Sequence, residues 1–323
     1  MPRSLTRILS ISLTALCLCL LVASPQTAAE AVKTALSICS GIIIPSLLPF
    51  FFISGIVSAL GIPECLARIM HKPMERFLGL SSWASAPLLL GLLGGYPVGA
   101  GALAQLRLEG KISPEEAERL LPVCNNTGPA FIIGAVGGGI FSSPTAGLML
   151  YAAHIITALI LALIFSTGSS YVSTELAETE YKGIISSLPV SIKGATEKCI
   201  SICGFVVFFS ILSSLLNELG ILSSAALVLN RLFNMEIGFC KSLMAGVLEL
   251  GGGIASMAGL SKTPLNLALS AFILGFGSLS VHCQTLAVVS AAKIKCARHF
   301  AGRIIHGIMS ALMVFAAASV FKI

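Results

Sequence analysis

Gly91-Leu92-Leu93-Gly94-Gly95-Tyr96-Pro97-Val98-Gly99-Ala100 is the stretch whose reading decides the fold. It lies inside an uncharged run from Phe77 to Leu106, so its surroundings are hydrocarbon-like. Gly94, Gly95, Pro97 and Gly99 nonetheless oppose an unbroken helix. Glycine adds backbone entropy, and Pro97 lacks an amide donor and crowds the preceding turn. In lipid every backbone polar group needs a partner, so a break at membrane depth is stable only inside protein or along a wet cavity. A Gly/Pro-interrupted apolar segment therefore points to a transporter-like binding site on a re-entrant or discontinuous helix. The plainer alternative is a kinked, closely packed helix, because Gly and Pro are common in membrane spans.

The composition sets that stretch in a polytopic membrane protein. Hydrophobic residues make up 56% of the 323, charged residues 11%, and the mean hydropathy is +0.96. Soluble domains carry about 25% charge. At roughly 20 apolar residues per crossing the chain has room for up to about ten spans. The net charge of +6 does not indicate a nucleic-acid partner, because the basic residues fall in short segments between apolar runs, where they set orientation. Of the ten cysteines, Cys17, Cys19, Cys39, Cys199, Cys203 and Cys283 sit within apolar runs. No Cys-x-x-Cys pair or zinc spacing occurs, so no metal and no cofactor is expected. Cys199 and Cys203, one helical turn apart, read as small packing residues.

Arg3 and Arg7 precede an apolar run from Ile8 to Ala23. This fits a cleaved signal or a first membrane helix, and the spans that follow at once favour a retained helix. Residues 34–63 are uncharged, and Pro45 and Pro49 predict a bent or interrupted helix. The next segment holds Arg68, His71, Lys72 and Arg76 against Glu64 and Glu75 and reads as a cytoplasmic loop. After the Gly-Gly-Tyr-Pro run, Ser113-Pro114-Glu115-Glu116 marks a helix start with a capping box. Asn125-Asn126-Thr127-Gly128-Pro129 is polar and helix-breaking, and it leads into an apolar run from Ala130 to Phe141. A span over about 145–167 contains His154 as its one ionisable group, read as a satisfied interior histidine. The polar stretch that follows, with Glu175, Glu178, Glu180, Lys182, Lys193, Glu197 and Lys198, divides the chain.

The two sides of that divide resemble each other. Ser37-Ile38-Cys39 with Leu60-Gly61-Ile62 is echoed by Ser201-Ile202-Cys203 with Leu219-Gly220-Ile221. Gly91 to Ala100 is echoed by Gly246 to Ala255, and Phe131-Ile132-Ile133-Gly134 by Phe272-Ile273-Leu274-Gly275, which pairs Asn125 with Asn266. Three echoes in one order indicate a repeat. With the N-terminus inside, parity places residues 68–76, the 170–198 stretch and the basic group Lys293, Lys295, Arg298 and Arg303 all on the cytoplasmic side. The repeats are then inverted, as in many secondary transporters. Counting the hairpins as full spans would change that parity. The expected fold class is an all-α polytopic membrane protein of two inverted repeats, each with a broken or re-entrant Gly/Pro-containing hairpin. Its segments are an N-terminal helix or signal anchor (1–33), a first repeat (34–169), a polar cytoplasmic linker (170–194) and a second repeat (195–323).

Ile44-Pro45-Ser46-Leu47-Leu48-Pro49-Phe50, Gly95-Tyr96-Pro97-Val98-Gly99-Ala100, Glu116-Ala117-Glu118-Arg119-Leu120 and Asn125-Asn126-Thr127-Gly128-Pro129 resemble the YlbJ-type sporulation integral membrane proteins. Those belong to the nucleoside-recognition, or Gate, group. Gly277 to Gln284 and Arg303-Ile304-Ile305-His306 resemble the tail of the same family, so the likeness spans about residues 40–306. It implies a membrane protein of endospore-forming bacteria needed for spore formation. Related Gate domains occur in concentrative nucleoside transporters and ferrous-iron transport proteins. Where the family more often carries Ser-Asn before the proline, this chain has Gly128, so no ligand contact is carried over to that turn.

Glu249 is the sharpest candidate for chemistry. It stands beside Gly251, Gly252 and Gly253, with no other charge between Lys241 and Lys262. A carboxylate at membrane depth must be paired, hydrated or neutralised, which suits a proton- or cation-coupled site. The alternative is an interfacial glutamate at a hairpin mouth. Asn125, Asn126, Thr127, His282 and Gln284 could bind polar or anionic parts of a small solute, or simply cap and bridge helices. Tyr96, beside Pro97, could stack on a base or ribose, or pack in its turn. A functional Glu249 is expected to meet the Gly94 to Gly99 turn near the bilayer midplane. No phosphate loop, nucleophile elbow or metalloprotease motif is present, so no enzyme is indicated. The expected function is transport of a small nucleoside- or ion-like solute across the bacterial inner membrane, with the lipid bilayer, that solute and a coupling cation as partners. The competing class is a scaffold or assembly protein that moves nothing.

Overall fold

The computed structural model describes residues 3–166 and 183–321, which are helical almost throughout. Helix α1 (Arg3–Ala23) meets α2 (Pro25–Ile38) at a bend of 99°. The chain passes from α2 through a π-helical turn (Cys39–Ile43) into α3 (Ile44–Ala59). The interruption expected at Pro45 and Pro49 is therefore a widened turn, not a break. The loosened ladder just upstream accommodates a residue that cannot donate.

Left-handed Gly61 leads into α4 (Ile62–Ile69) and α5 (His71–Leu78). These short helices replace the basic loop expected here. Ala67, Met74 and Leu78 point inward while Arg68, His71, Lys72 and Arg76 remain exposed, so a 3.6-residue period is present in the polar stretch. A 3-10 turn (Ser82–Ala84) opens the first hairpin, α6 (Ser85–Gly94) and α7 (Val98–Leu108). The hairpin packs closely on α8 (Pro114–Cys124): a Cβ at Gly91 or Gly99 would lie 1.6 Å or 1.8 Å from the Cys124 carbonyl oxygen.

Ser113 caps α8 as expected, its Oγ accepting the Glu116 amide at 3.1 Å. The reciprocal half of the capping box is not made. Glu116 is buried, and its Oε1 accepts the Ser81 amide at 2.7 Å, tying α8 to the entrance of the hairpin. Beyond the break at residues 125–129 the chain continues as a π-helix (Ala130–Ile140) and then α9 (Pro144–Ser166).

The second part opens with α10 (Ile184–Glu218), whose 35 residues reach about 52 Å. Left-handed Gly220 leads into α11 (Ile221–Phe233). A second hairpin, α12 (Ile237–Leu248) and α13 (Leu250–Ala255), is interrupted at Glu249. A span broken at Gly277 follows, α14 (Pro264–Phe276) and α15 (Ser278–Val289), and then α16 (Ala297–Phe321).

Both parts thus run through one order of elements. A long helical run is followed by a left-handed glycine, short helices (two in the first part, one in the second), a broken hairpin, a broken span and a second long helix. The pairing of Phe131–Gly134 with Phe272–Gly275 is out of register, because the first segment follows its break and the second precedes Gly277. The matching positions are the helix starts Ser113-Pro114 and Thr263-Pro264, each a hydroxyl cap on the amide three residues on. By position in its helix start, Asn266 compares with Glu116 and not with Asn125.

Among the described residues, four helices are long and apolar enough to cross a membrane, or five if the bent pair α1–α2 forms one span. Apolar side chains such as Val22, Ile200, Phe208 and Leu312 are exposed on the outside, as a lipid-facing surface requires. Inside, α14 lies along α16, and α2 and α3 lie along α10. Residue 33 falls within α2 and residue 194 within α10, whereas Glu175, Glu178, Glu180 and Lys182 of the expected linker lie outside the described residues.

Candidate functional site

The first hairpin turns at Gly95-Tyr96-Pro97, with a cis bond between Tyr96 and Pro97. Gly95 has φ +76°, and a Cβ there would lie 2.7 Å from the Gly128 amide nitrogen. Only glycine meets both demands. The tip is therefore seated on the break of the first broken span. From this seat Tyr96 reaches the break of the second. Its hydroxyl donates to the Leu274 carbonyl at 3.2 Å, and a Cβ on Gly277 (φ +88°) would come within 2.8 Å of that hydroxyl. One hairpin tip and both helix breaks converge here.

Leu274 lies in the last turn of α14, where carbonyls lose their helical partners. Its oxygen also accepts Thr127 Oγ1 at 3.0 Å and Arg303 Nη2 at 3.4 Å. Arg303, on α16, is 0% exposed. Its Nη2 donates to the Tyr96 hydroxyl, and its Nη1 lies 3.2 Å from Asn126 Oδ1, 3.1 Å from His306 Nδ1 and 3.5 Å from the Pro122 carbonyl. His154 accepts the Thr127 amide on Nε2 at 3.2 Å, and its ring lies 4.3 Å from that of His306. That places the His154 proton on Nδ1. Among the described residues, His154 Nδ1 and Arg303 Nε are buried without a hydrogen-bond partner, and no carboxylate lies within ion-pair distance of Arg303.

Arg303 corrects the sequence reading, which grouped it with the basic flank. Lys293, Lys295 and Arg298 are exposed there, but Arg303 stands inside the span. The missed signal was periodic. His299, Arg303, His306 and Ser310 share one face of an apolar helix, and all four are buried. An intramembrane arginine is a functional candidate by default.

The remaining candidates are spread around this centre. Asn125 Nδ2 donates to Thr285 Oγ1 at 2.7 Å, leaving its buried Oδ1 without a donor. Asn126 also ties its Nδ2 to the Val123 carbonyl at 2.6 Å. His282 Nδ1 lies 3.4 Å from His299 Nε2 between the edges of Phe276 and Phe300, and Gln284 reaches Ser280 at 3.4 Å. Glu249 is 4% exposed. Its Oε1 accepts the Gly251 amide at 2.8 Å and its Oε2 accepts that of Gly252, so it caps α13. Gly253 packs backbone to backbone on Gly246. Among the described residues no hydrogen bond joins Glu249 to the Gly94–Gly99 turn. Val98 of that turn and the Ile38 that borders Gly251 share one apolar cluster instead. Cys39, Cys199 and Cys203 belong to the same cluster, and no group of three or more ligating residues among those described could hold a metal ion.

Residues 41–177 match the family model described as Gate, nucleoside recognition. The sporulation integral membrane protein YlbJ of Bacillus subtilis (strain 168) is 29% identical over 327 residues, covering 91% of this chain and 78% of that protein. Among solved structures, CNTnw in an inward-facing substrate-bound state covers 100% of this chain and 88% of its own, with a TM-score of 0.58 at 13% identity. A doubly substituted CNTnw in an outward-facing state gives a TM-score of 0.51 at 12% identity, covering 100% and 87%. The chain is thus a polytopic membrane protein with a nucleoside-recognition (Gate) match over residues 41–177, a transporter-like fold, and similarity over most of its length to a sporulation integral membrane protein.

Proposed function

We propose that the protein carries a small, negatively charged solute across the bacterial inner membrane by alternating access during spore formation. One observation carries this reading: Arg303 is wholly buried where a hairpin tip and two helix breaks meet, and among the described residues no carboxylate lies within ion-pair distance of it. A buried charge left without a counter-charge is strongly unfavourable, and a bound carboxylate or phosphate would supply one. Arg303 Nε and His154 Nδ1 are the donors such a group would satisfy. Asn126, Thr127 and Tyr96 with Pro97 would frame it, while Asn125, His282 and Gln284 hold the surrounding helices. Glu249, with both oxygens engaged by amides, is assigned to capping the second hairpin. No covalent step is required.

The inverted repeat and a cytoplasmic N-terminus belong to the same reading. Ser24, after the first helix, donates to Glu218 at the end of α10 at 2.8 Å, which suits one side of the membrane. Lys295, before α16, lies 4.0 Å from Glu118 at the start of α8, which suits the other. The shared order of elements, entered from opposite sides, supports two inverted repeats flanking residues 170–194.

The test is a binding and uptake panel on purified protein in detergent and proteoliposomes, using benzoate, succinate, inorganic phosphate and uridine 5′-monophosphate, with uridine as the uncharged control. At least one anion should bind and be taken up, and Arg303→Gln should abolish both. Binding of uridine alone would replace the anion reading with a neutral nucleoside. Binding of none would favour the scaffold alternative.

A further inference from the structure

The hydrogen-bond pattern around Arg303 fixes the protonation of its neighbours. A guanidinium can only donate, so His306 Nδ1, 3.1 Å from Nη1, must accept. His154 Nε2 likewise accepts the Thr127 amide. Both imidazoles are therefore neutral while the site holds no anion. A proton arriving at His306 Nδ1 would convert that acceptor into a donor facing Arg303. A proton arriving at His154 would place a second cation beside the first in a dry interior, where charges interact strongly.

An anion lodged against Arg303 reverses this balance. It supplies the missing negative charge and gives a protonated imidazole a partner. Linkage is reciprocal, so a solute that favours the proton is itself favoured by it.

We infer that the paired imidazoles His154 and His306 form a proton-binding site that is filled together with the anion at Arg303, making the protein an anion–proton symporter. This rests on the anion reading above. Arg303 on α16 faces both imidazoles, and the other titratable groups around Arg303 are Tyr96 from the first hairpin, Cys124 on α8, His282 on α15 and His299 on α16. Helix α14, which lies along α16, contributes no ionisable side chain, and neither does the π-helix Ala130–Ile140 against α9. Among the described residues no carboxylate is paired with Arg303 or either imidazole.

The test measures proton uptake on binding, using titration calorimetry of the wild-type protein with whichever of the four anions binds. Runs in two buffers of different ionisation enthalpy, corrected for the ionisation of the anion, give the number of protons taken up. Near the ordinary imidazole range, at about pH 6.5, uptake approaching one proton per anion is expected. Affinity should then weaken by up to about tenfold per pH unit as pH rises. His306→Gln should flatten that dependence. The wild-type measurement decides the matter even if this variant fails to fold. Anion binding with no proton uptake, or with dependence on Na⁺ instead, would overturn the symport while leaving the anion reading intact. Absence of anion binding would overturn both.

Discussion

Tyr96 shows how one side chain can hold three elements together. Its hydroxyl donates to Leu274 and accepts from Arg303, so it joins the hairpin tip to α14 and α16. Tyr96→Phe keeps the ring and removes both bonds. Loss of a hydrogen bond to a buried charged group costs about 1–3 kcal/mol, so thermal unfolding of the detergent-purified variant should occur at a clearly lower temperature than wild type. A melting point unchanged from wild type would mean that water or another group replaces the hydroxyl without loss. At this scale the sequence revealed the turn but not the partner of its tyrosine. Gly95 and Pro97 announce themselves by type, because each permits a backbone that few residues allow. Arg303 did not, because an arginine near the start of a span looks like interfacial charge until its face is traced through His299, His306 and Ser310.

At the scale of elements, broken helices need their ends satisfied from within. Leu274 presents a free carbonyl that collects Tyr96, Thr127 and Arg303, and Glu249 supplies the acceptors for α13. Removing a helix cap costs about 0.5–2 kcal/mol. Glu249→Ala should therefore lower the unfolding temperature, and Glu249→Gln, which keeps one acceptor oxygen, should lower it less. Anion affinity should change little in the glutamine variant. If Glu249→Gln unfolds like wild type but no longer transports, the carboxylate carries coupling after all, and the capping role is secondary. The breaks themselves were legible in the Gly-Gly-Tyr-Pro and Asn-Asn-Thr-Gly-Pro runs. The π-helical form of Ala130–Ile140 and the helices α4 and α5 were not, since apolar content alone does not distinguish helix types and a charged stretch can hide a buried face.

For the whole molecule, the proposed topology makes a two-sided statement. Single cysteines replacing Lys295 and Glu218, in an otherwise cysteine-free protein, should react with a membrane-impermeant maleimide from opposite sides of intact vesicles. Labelling of both from one side would end the inverted-repeat reading. In the echo of Leu60-Gly61-Ile62 by Leu219-Gly220-Ile221, both glycines are left-handed and both follow a long helical run. The Phe131 and Phe272 segments lie on opposite sides of their respective breaks. The caps at Ser113 and Thr263 are alike in geometry, a likeness that depends on which amide each hydroxyl meets.

The length of α10 has a consequence for the surroundings of the protein. Its 35 residues reach about 52 Å, against a hydrocarbon core of about 30 Å. Lys193, Glu197 and Lys198 lie in its first half, so hydrocarbon can cover only the later turns, from about Cys199 onward. Those 20 residues up to Glu218 span about 30 Å, just enough to cross with little tilt. Because α2 and α3 lie along this helix, a change in bilayer thickness would tip all three together. Hydrophobic mismatch would thereby link the tilt of these helices to the lipid composition of the membrane that houses the protein.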